Sequence, residues 1–235
     1  MSTLRLPDEL CTEYGWELVE TGVERALTLP FFSIRAHNAI YEDTASAAAF
    51  EEIAAPAVEV GGRSFFATNL EFRPSLSTFG VDPASVFGVA RSHAKREFEE
   101  SLAEDGLTDL SLVESREFDR PGTETATVFG YEAAFPLSSE VVENPAEFEH
   151  LTHVENPAQA ADEQVDELAL ESELWMALWP TDGAYAMAGG MYPVEEVDEA
   201  VQRQAPAATL ATEVRVDPNE ERDRERVFEA MRQVS

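Results

Sequence analysis

The run Leu174-Trp175-Met176-Ala177-Leu178-Trp179 sets the strongest limit on the fold. Side chains alternate across a strand, so Leu174, Met176 and Leu178 share one face while Trp175, Ala177 and Trp179 share the other. Both faces are apolar. A strand of this kind keeps both faces out of water, which places it centrally in a sheet. Pro180-Thr181-Asp182-Gly183 follows as a turn. In the next strand Ala184, Ala186, Ala188 and Gly190 fall on one face, with Tyr185, Met187 and Met191 on the other. The small face lets a helix approach the sheet closely.

The rest of the chain supplies strands and helices in no strict alternation. Phe31 to Tyr41 alternates, with Phe32, Ile34, Ala36 and Ile40 on one side and Ser33, Arg35, His37 and Tyr41 on the other. Thr44 to Ala54 reads as a short helix. Val58 to Val60 and Ser64 to Phe72 flank Gly61-Gly62, which predicts a two-residue hairpin turn. Asp82-Pro83 is a cap followed by proline at the first helical position. Behind it, Val86, Phe87, Ala90, Ala94, Phe98 and Leu102 form one apolar stripe, and Gly106 ends the helix. Asp109 to Phe118 and Thr123 to Phe135 read as a hairpin. Val194 to Gln204 reads as helix, Thr209 to Val216 as strand, and Glu220 to Val234 as a closing helix with Val227, Phe228, Met231 and Val234 inward. Hairpins with a few helices predict an α+β fold, an antiparallel sheet of about six to eight strands covered by helices. A single domain over residues 1–235 accommodates all of it.

The charge is one-sided. Asp and Glu number 47 against 16 Lys and Arg, a formal charge of −31, and Lys95 is the only lysine. Self-repulsion on this scale destabilises a compact chain in dilute buffer. Molar salt, with a Debye length of about 3 Å, removes the problem. The acid excess with almost no lysine resembles the proteome of salt-in haloarchaea. The hydrophobic content of 44%, with 14 Phe, excludes an acidic disordered chain. No basic stripe is present to neutralise phosphates, so nucleic acid is not an expected partner. No apolar run approaches about 18 residues, and Met1 to Glu20 lacks signal-peptide order, so a cytoplasmic protein without membrane contact is expected. Cys11 is the only cysteine, which rules out an internal disulfide. Ser138 to Glu173 holds 11 acidic residues and no Lys or Arg. Within it Val142-Glu143-Asn144-Pro145-Ala146 recurs as Val154-Glu155-Asn156-Pro157-Ala158. We read 138–173 as an acidic insertion or mobile segment.

Dinucleotide, phosphate-loop, nucleophile-elbow and zinc-protease motifs are all missing, so no catalytic residue and no cofactor is expected. Three groups of residues are candidates for binding. His150 and His153 share a helical face beside Glu147 and Glu149, a partial donor set for a divalent metal. The competing reading is two solvated histidines in an acidic stretch. Arg35, His37 and Tyr41 form a row on one strand face, where the guanidinium offers a planar fork to a carboxylate or phosphate. More often such a row is simply a polar sheet face. Trp175 and Trp179, with Tyr185 and Tyr192, make either an aromatic recognition surface or core. His93 beside the helical stripe reads as a flank residue with a local partner.

The run Leu174 to Trp179, followed by Ala188-Gly189-Gly190-Met191-Tyr192-Pro193, resembles an uncharacterised haloarchaeal family known only as a domain of unknown function. The order of strands, amphipathic helix, hairpins and closing helix is similar to the Mog1/PsbP-like α/β/α sandwich. That resemblance implies a binding or assembly factor more often than an enzyme, although fold does not fix function. The expectation is therefore a non-enzymatic binding or assembly module in a salt-adapted cytosol, with a protein or small-molecule partner. The alternative is a small-molecule-binding protein or enzyme with a pocket near Trp175/Trp179 and Arg35/His37/Tyr41.

Overall fold

The computed structural model describes residues 3–29, 32–123, 125–143, 168–206, 208–211 and 214–235. Seven strands form one antiparallel sheet: β1 (Trp16–Leu29), β2 (Phe32–Asp43), β3 (Ser64–Arg73), β4 (Thr108–Glu117), β5 (Thr127–Pro136), β6 (Ala169–Thr181) and β7 (Ala184–Pro193). Their order is β1-β2-β3-β7-β6-β5-β4. Among the described residues five α-helices are present: α1 (Asp8–Tyr14), α2 (Ala47–Ile53), α3 (Phe87–Glu104), α4 (Val197–Gln204) and α5 (Glu220–Gln233). Residues of α2, α3 and α4 join the core on one face of the sheet, and residues flanking α1 join α5 on the other. The expected α+β class and antiparallel sheet are both present. β6 lies between β7 and β5 and is buried on both faces, as its double apolar pattern requires.

The face under α5 is closely filled. Ala39, Ala67, Ala188 and Ala177 are cross-strand neighbours on β2, β3, β7 and β6, and all four are fully buried. This row of short side chains lets α5 settle onto the sheet. A Cβ on Gly190 would meet Val227 Cγ2 at 2.9 Å, so glycine is required for that approach. The predicted inward stripe of α5, Val227, Phe228, Met231 and Val234, is buried here. Phe228 meets Trp175 edge-on at 5.0 Å between ring centroids. Each such large apolar side chain contributes about 1.5–3 kcal/mol by burial.

Ion pairs pin the same layer. Arg63, at the start of β3, reaches Asp223 of α5 at 3.0 Å and Asp43 at 3.5 Å, and all three are buried. Glu173 of β6 accepts hydrogen bonds from Arg224 (2.7 Å), Tyr192 (2.6 Å) and Trp175 (3.1 Å). Burial works to raise the Glu173 carboxyl, but these donors outweigh it and hold the group below the ordinary carboxylate range. The two ends of the described chain also meet, since Arg5 and Ser235 exchange backbone hydrogen bonds of 2.8 and 3.0 Å.

Several local expectations are corrected. Val58 to Val60 is not a strand; β3 pairs with β2 and β7 instead. Gly62 has no positive φ, and its role is close approach, because a Cβ there would lie 1.9 Å from the Phe50 ring. Among the described residues of the range Thr209 to Val216, the pairing present is an isolated bridge between Leu210 and Val142. The helix expected from Thr44 begins at Ala47, and that expected from Val194 begins at Val197. Asp82 accepts a hydrogen bond from the Ala84 amide as predicted, but the turn that follows, Pro83–Val86, is a 3-10 turn leading into α3. Both ends of the 138–173 stretch belong to the fold: Val141 and Val142 are buried, and residues from Ala169 open β6. Residues 144–167, including His150, His153 and the second copy of the repeat, lie outside the described residues.

Candidate functional site

The face under α3 is built differently. Two aromatic residues anchor this helix to the sheet. Phe87 packs on Tyr185 at 6.2 Å, and Phe98 packs on Phe66 at 5.5 Å and Tyr131 at 5.8 Å. The stripe between the anchors carries only Ala90 and Ala94. Eleven helical residues span about 16 Å, and over most of that length short side chains face the sheet. Space therefore remains between helix and strands. It forms a cleft of about 610 Å³, within the usual range for small-molecule sites.

The floor of the cleft comes from β2, β3 and β7. Ile34, Ala36, Ile40, Phe66, Leu70 and Met187 supply most of it. Phe32, Phe72 and Tyr185 close one end through ring contacts of 5.4 and 5.8 Å. The Tyr185 hydroxyl donates to the Pro83 carbonyl at 2.9 Å, which fastens the 3-10 turn before α3 to the sheet. Val86 and Val89 stand at the mouth and are 38% and 76% exposed, so apolar surface continues out to solvent. The polar lining is sparse: Asn38, Ser64, Thr68, His93, Glu97, Ser101 and Asp105. Among the described residues, no lysine or arginine lines the cleft. Burial, followed by the neighbouring Glu59 and Glu104, pushes the Asp105 carboxyl above its ordinary value.

The six residues singled out for ligand binding do not line one cavity. Arg35, His37, Tyr41, Trp175 and Trp179 belong to the α5 side of the sheet, while Tyr185 faces the α3 cleft. Tyr41 is buried and accepts a hydrogen bond from the Leu6 amide. His37 pairs with Glu71 at 3.3 Å. Arg73 hydrogen-bonds the same carboxylate and is the main cause of its lowered pKa. Arg35 stands opposite Glu71 on β3 and Arg25 on β1. Trp175 lies under Phe228 of α5. Trp179 carries the Arg120 guanidinium 4.1 Å above its ring and edges a polar hollow of about 500 Å³. Arg120 is itself committed to the Met231 and Val234 carbonyls at the end of α5. His93 has the local partners expected of a flank residue, Arg96 at 2.9 Å and Glu97 at 3.6 Å, and it also lines the cleft. Cys11 on α1 is partly buried, and burial followed by Asp8 pushes its thiol up, away from the reactive thiolate.

The cleft escaped sequence reasoning because its residues read as ordinary core. The available signal was the helical stripe itself, where two alanines occupy the stretch between Phe87 and Phe98. A second signal was the sequence Ile34, Ala36, Asn38, Ile40, in which one polar residue interrupts an apolar strand face.

No curated protein and no solved structure matches the chain. Residues 3–235 match the family described as "Domain of unknown function (DUF6517)", and the chain belongs to that family.

Proposed function

We propose that the protein is a binding module that holds a small apolar molecule in the cleft between α3 and strands β2, β3 and β7. The observation that carries this reading is the cleft itself, hydrophobic and aromatic on nearly all sides and open to solvent past Val86 and Val89. The non-enzymatic role expected from the sequence is retained, with the ligand moved to the opposite face of the sheet. The uncharged fluorophore N-phenyl-1-naphthylamine tests it. Wild-type protein should give a saturable rise in emission. Ala90→Trp, which fills the cleft between the two anchors, should weaken binding at least about tenfold with an unchanged circular dichroism spectrum. Absence of saturable binding to the wild type ends the reading.

The setting we propose is a salt-rich cytosol, supported by the net charge of −31. The kinship with Mog1/PsbP-like sandwiches is part of the same proposal, supported by the helix–sheet–helix layering. Circular dichroism followed from molar to about 0.1 M potassium chloride should show loss of structure as the Debye length grows to about 10 Å. Full retention of structure and melting temperature would count against salt adaptation.

A further inference from the structure

The floor of the cleft has one polar rung. Along β2 and β3 the cross-strand pairs facing α3 are Ile34 with Phe72, Ala36 with Leu70, Asn38 with Thr68, and Ile40 with Phe66. Met187 continues the Asn38–Thr68 rung on β7 and restores apolar character. Thr68 is buried, and its hydroxyl donates to Asn38 Oδ1 at 3.0 Å. Burying a hydroxyl and an amide within apolar surroundings is unfavourable unless their hydrogen bonds are made. This pair satisfies the hydroxyl and the amide oxygen. The Asn38 amide nitrogen makes no hydrogen bond among the described residues, and Asn38 lines the cleft. The lining thus carries a donor that the described residues leave unused. The rung is set within a floor that runs about 27 Å from Phe32 to Ile40.

The charges around the cleft limit what that donor can meet. Besides the Tyr185 phenol, whose hydroxyl is taken up by the Pro83 carbonyl, the ionisable groups among its described lining residues are His93, Glu97 and Asp105, two of them acidic. A carboxylate or phosphate entering the cleft would lose water, find no lysine or arginine among the described lining residues, and approach those acids; stripping an ion of water without pairing it is strongly unfavourable. A cation has little to gain either. Glu97 already pairs with Arg96 at 2.8 Å, and the raised pKa of Asp105 reflects burial that opposes its charge.

We propose that the ligand is uncharged: an apolar body bearing one hydroxyl or carbonyl oxygen, which accepts a hydrogen bond from Asn38 at the Asn38–Thr68 rung. This rests on the reading that the cleft holds a small molecule, and the test separates the two.

The probe is N-phenyl-1-naphthylamine, displaced at about pH 8, where carboxylates are fully ionised. The competitors are decanol, decane and decanoate in the same potassium chloride buffer. Decanol should displace the probe at a concentration at least about tenfold below that of decane or decanoate. In Asn38→Leu/Thr68→Val, which keeps the floor filled, the advantage of decanol over decane, read as the ratio of their displacing concentrations within that variant, should vanish. Thr68→Val alone, a smaller change, should reduce that advantage and serves if the double variant is unstable. Decanoate competing as well as decanol overturns the charge argument. An undiminished preference for decanol over decane in the folded variants overturns the role of the rung. Failure of the probe to bind wild-type protein, or binding unaffected by Ala90→Trp, defeats the underlying cleft reading and the inference with it.

Discussion

The two faces of the sheet meet their helices in opposite ways. Under α5 the sheet offers the row Ala39, Ala67, Ala188 and Ala177, and the helix brings Val227, Phe228 and Met231 down onto it. Small residues on the strands and large ones on the helix leave no gap. Under α3 the sizes are exchanged over the central stretch. The strands carry Phe66, Leu70 and Phe72, and the helix carries Ala90 and Ala94 between its anchors. A helix held up at both ends by Phe87 and Phe98 bridges the sheet and does not settle on it. Size complementarity closes one interface, and its absence along the middle of the other creates a cleft.

The charged groups follow the same division. Arg63, Asp43 and Asp223 are sealed between the sheet and α5, where removing Asp223 takes the shorter of two ion pairs from a buried guanidinium. Asp223→Ala should therefore destabilise the protein most, by about 3–5 kcal/mol in urea unfolding. A loss under about 1 kcal/mol would mean that Asp43 alone suffices to hold Arg63 and that the α5 interface is less sealed than its burial suggests.

A matched pair of enlargements probes packing directly. Ala188→Leu adds volume to the filled face and should cost up to about 3 kcal/mol. Ala94→Leu adds the same volume to the cleft and should stay within about 0.5 kcal/mol of wild type. Equal effects of the two substitutions would erase the distinction drawn between the faces.

Titration offers smaller contrasts of opposite sign. Glu173 titrates below its ordinary value in the folded protein. Its contribution is complete above about pH 4.3, the unfolded value, and is lost as pH falls through the folded value. Glu173→Gln should lower stability by about 1.5 kcal/mol at neutral pH and flatten the acid limb of the stability profile. Asp105, lining the cleft, titrates above its ordinary value. Its contribution is present below about pH 3.9 and is lost as pH rises through the folded value. Asp105→Asn should therefore raise stability at neutral pH, by about 0.5 kcal/mol once solvent screening is allowed for. Loss of stability at neutral pH in that variant would show that the Asp105 charge is used, and the cleft mouth would then be less hydrophobic than described.

Much of the fold was legible in the sequence because its signals are local. The period-two pattern of β6, the small face of β7, the capped stripe of α3 and the inward residues of α5 each follow from spacing alone. β1 was not legible. It is a bulged edge strand carrying Glu17, Glu20, Glu24 and Arg25, with Val19 and Val23 exposed, so no alternation marks it. Charges and bulges are how an edge strand avoids pairing with another chain, and here they also hide it from pattern reading. The Gly61-Gly62 turn misled for a related reason: glycine served the packing of Phe50, a contact made by a residue distant along the chain. The candidate site was the least legible part. A tryptophan strand looks like a recognition surface until α5 is seen to cover it. A cleft depends on what two distant segments fail to fill, and no single stretch of sequence records that.

The paired ends of the chain have a topological consequence. Arg5 and Ser235 hold each other by two backbone hydrogen bonds, and the adjoining Leu6 and Val234 are buried in the α5-side core. The described polypeptide thus traces a nearly closed circuit, fastened at one pole on the face away from α3. A short turn-forming linker joining those ends would impose little that the fold does not already impose, so the loop-closure entropy would fall almost wholly on the unfolded chain.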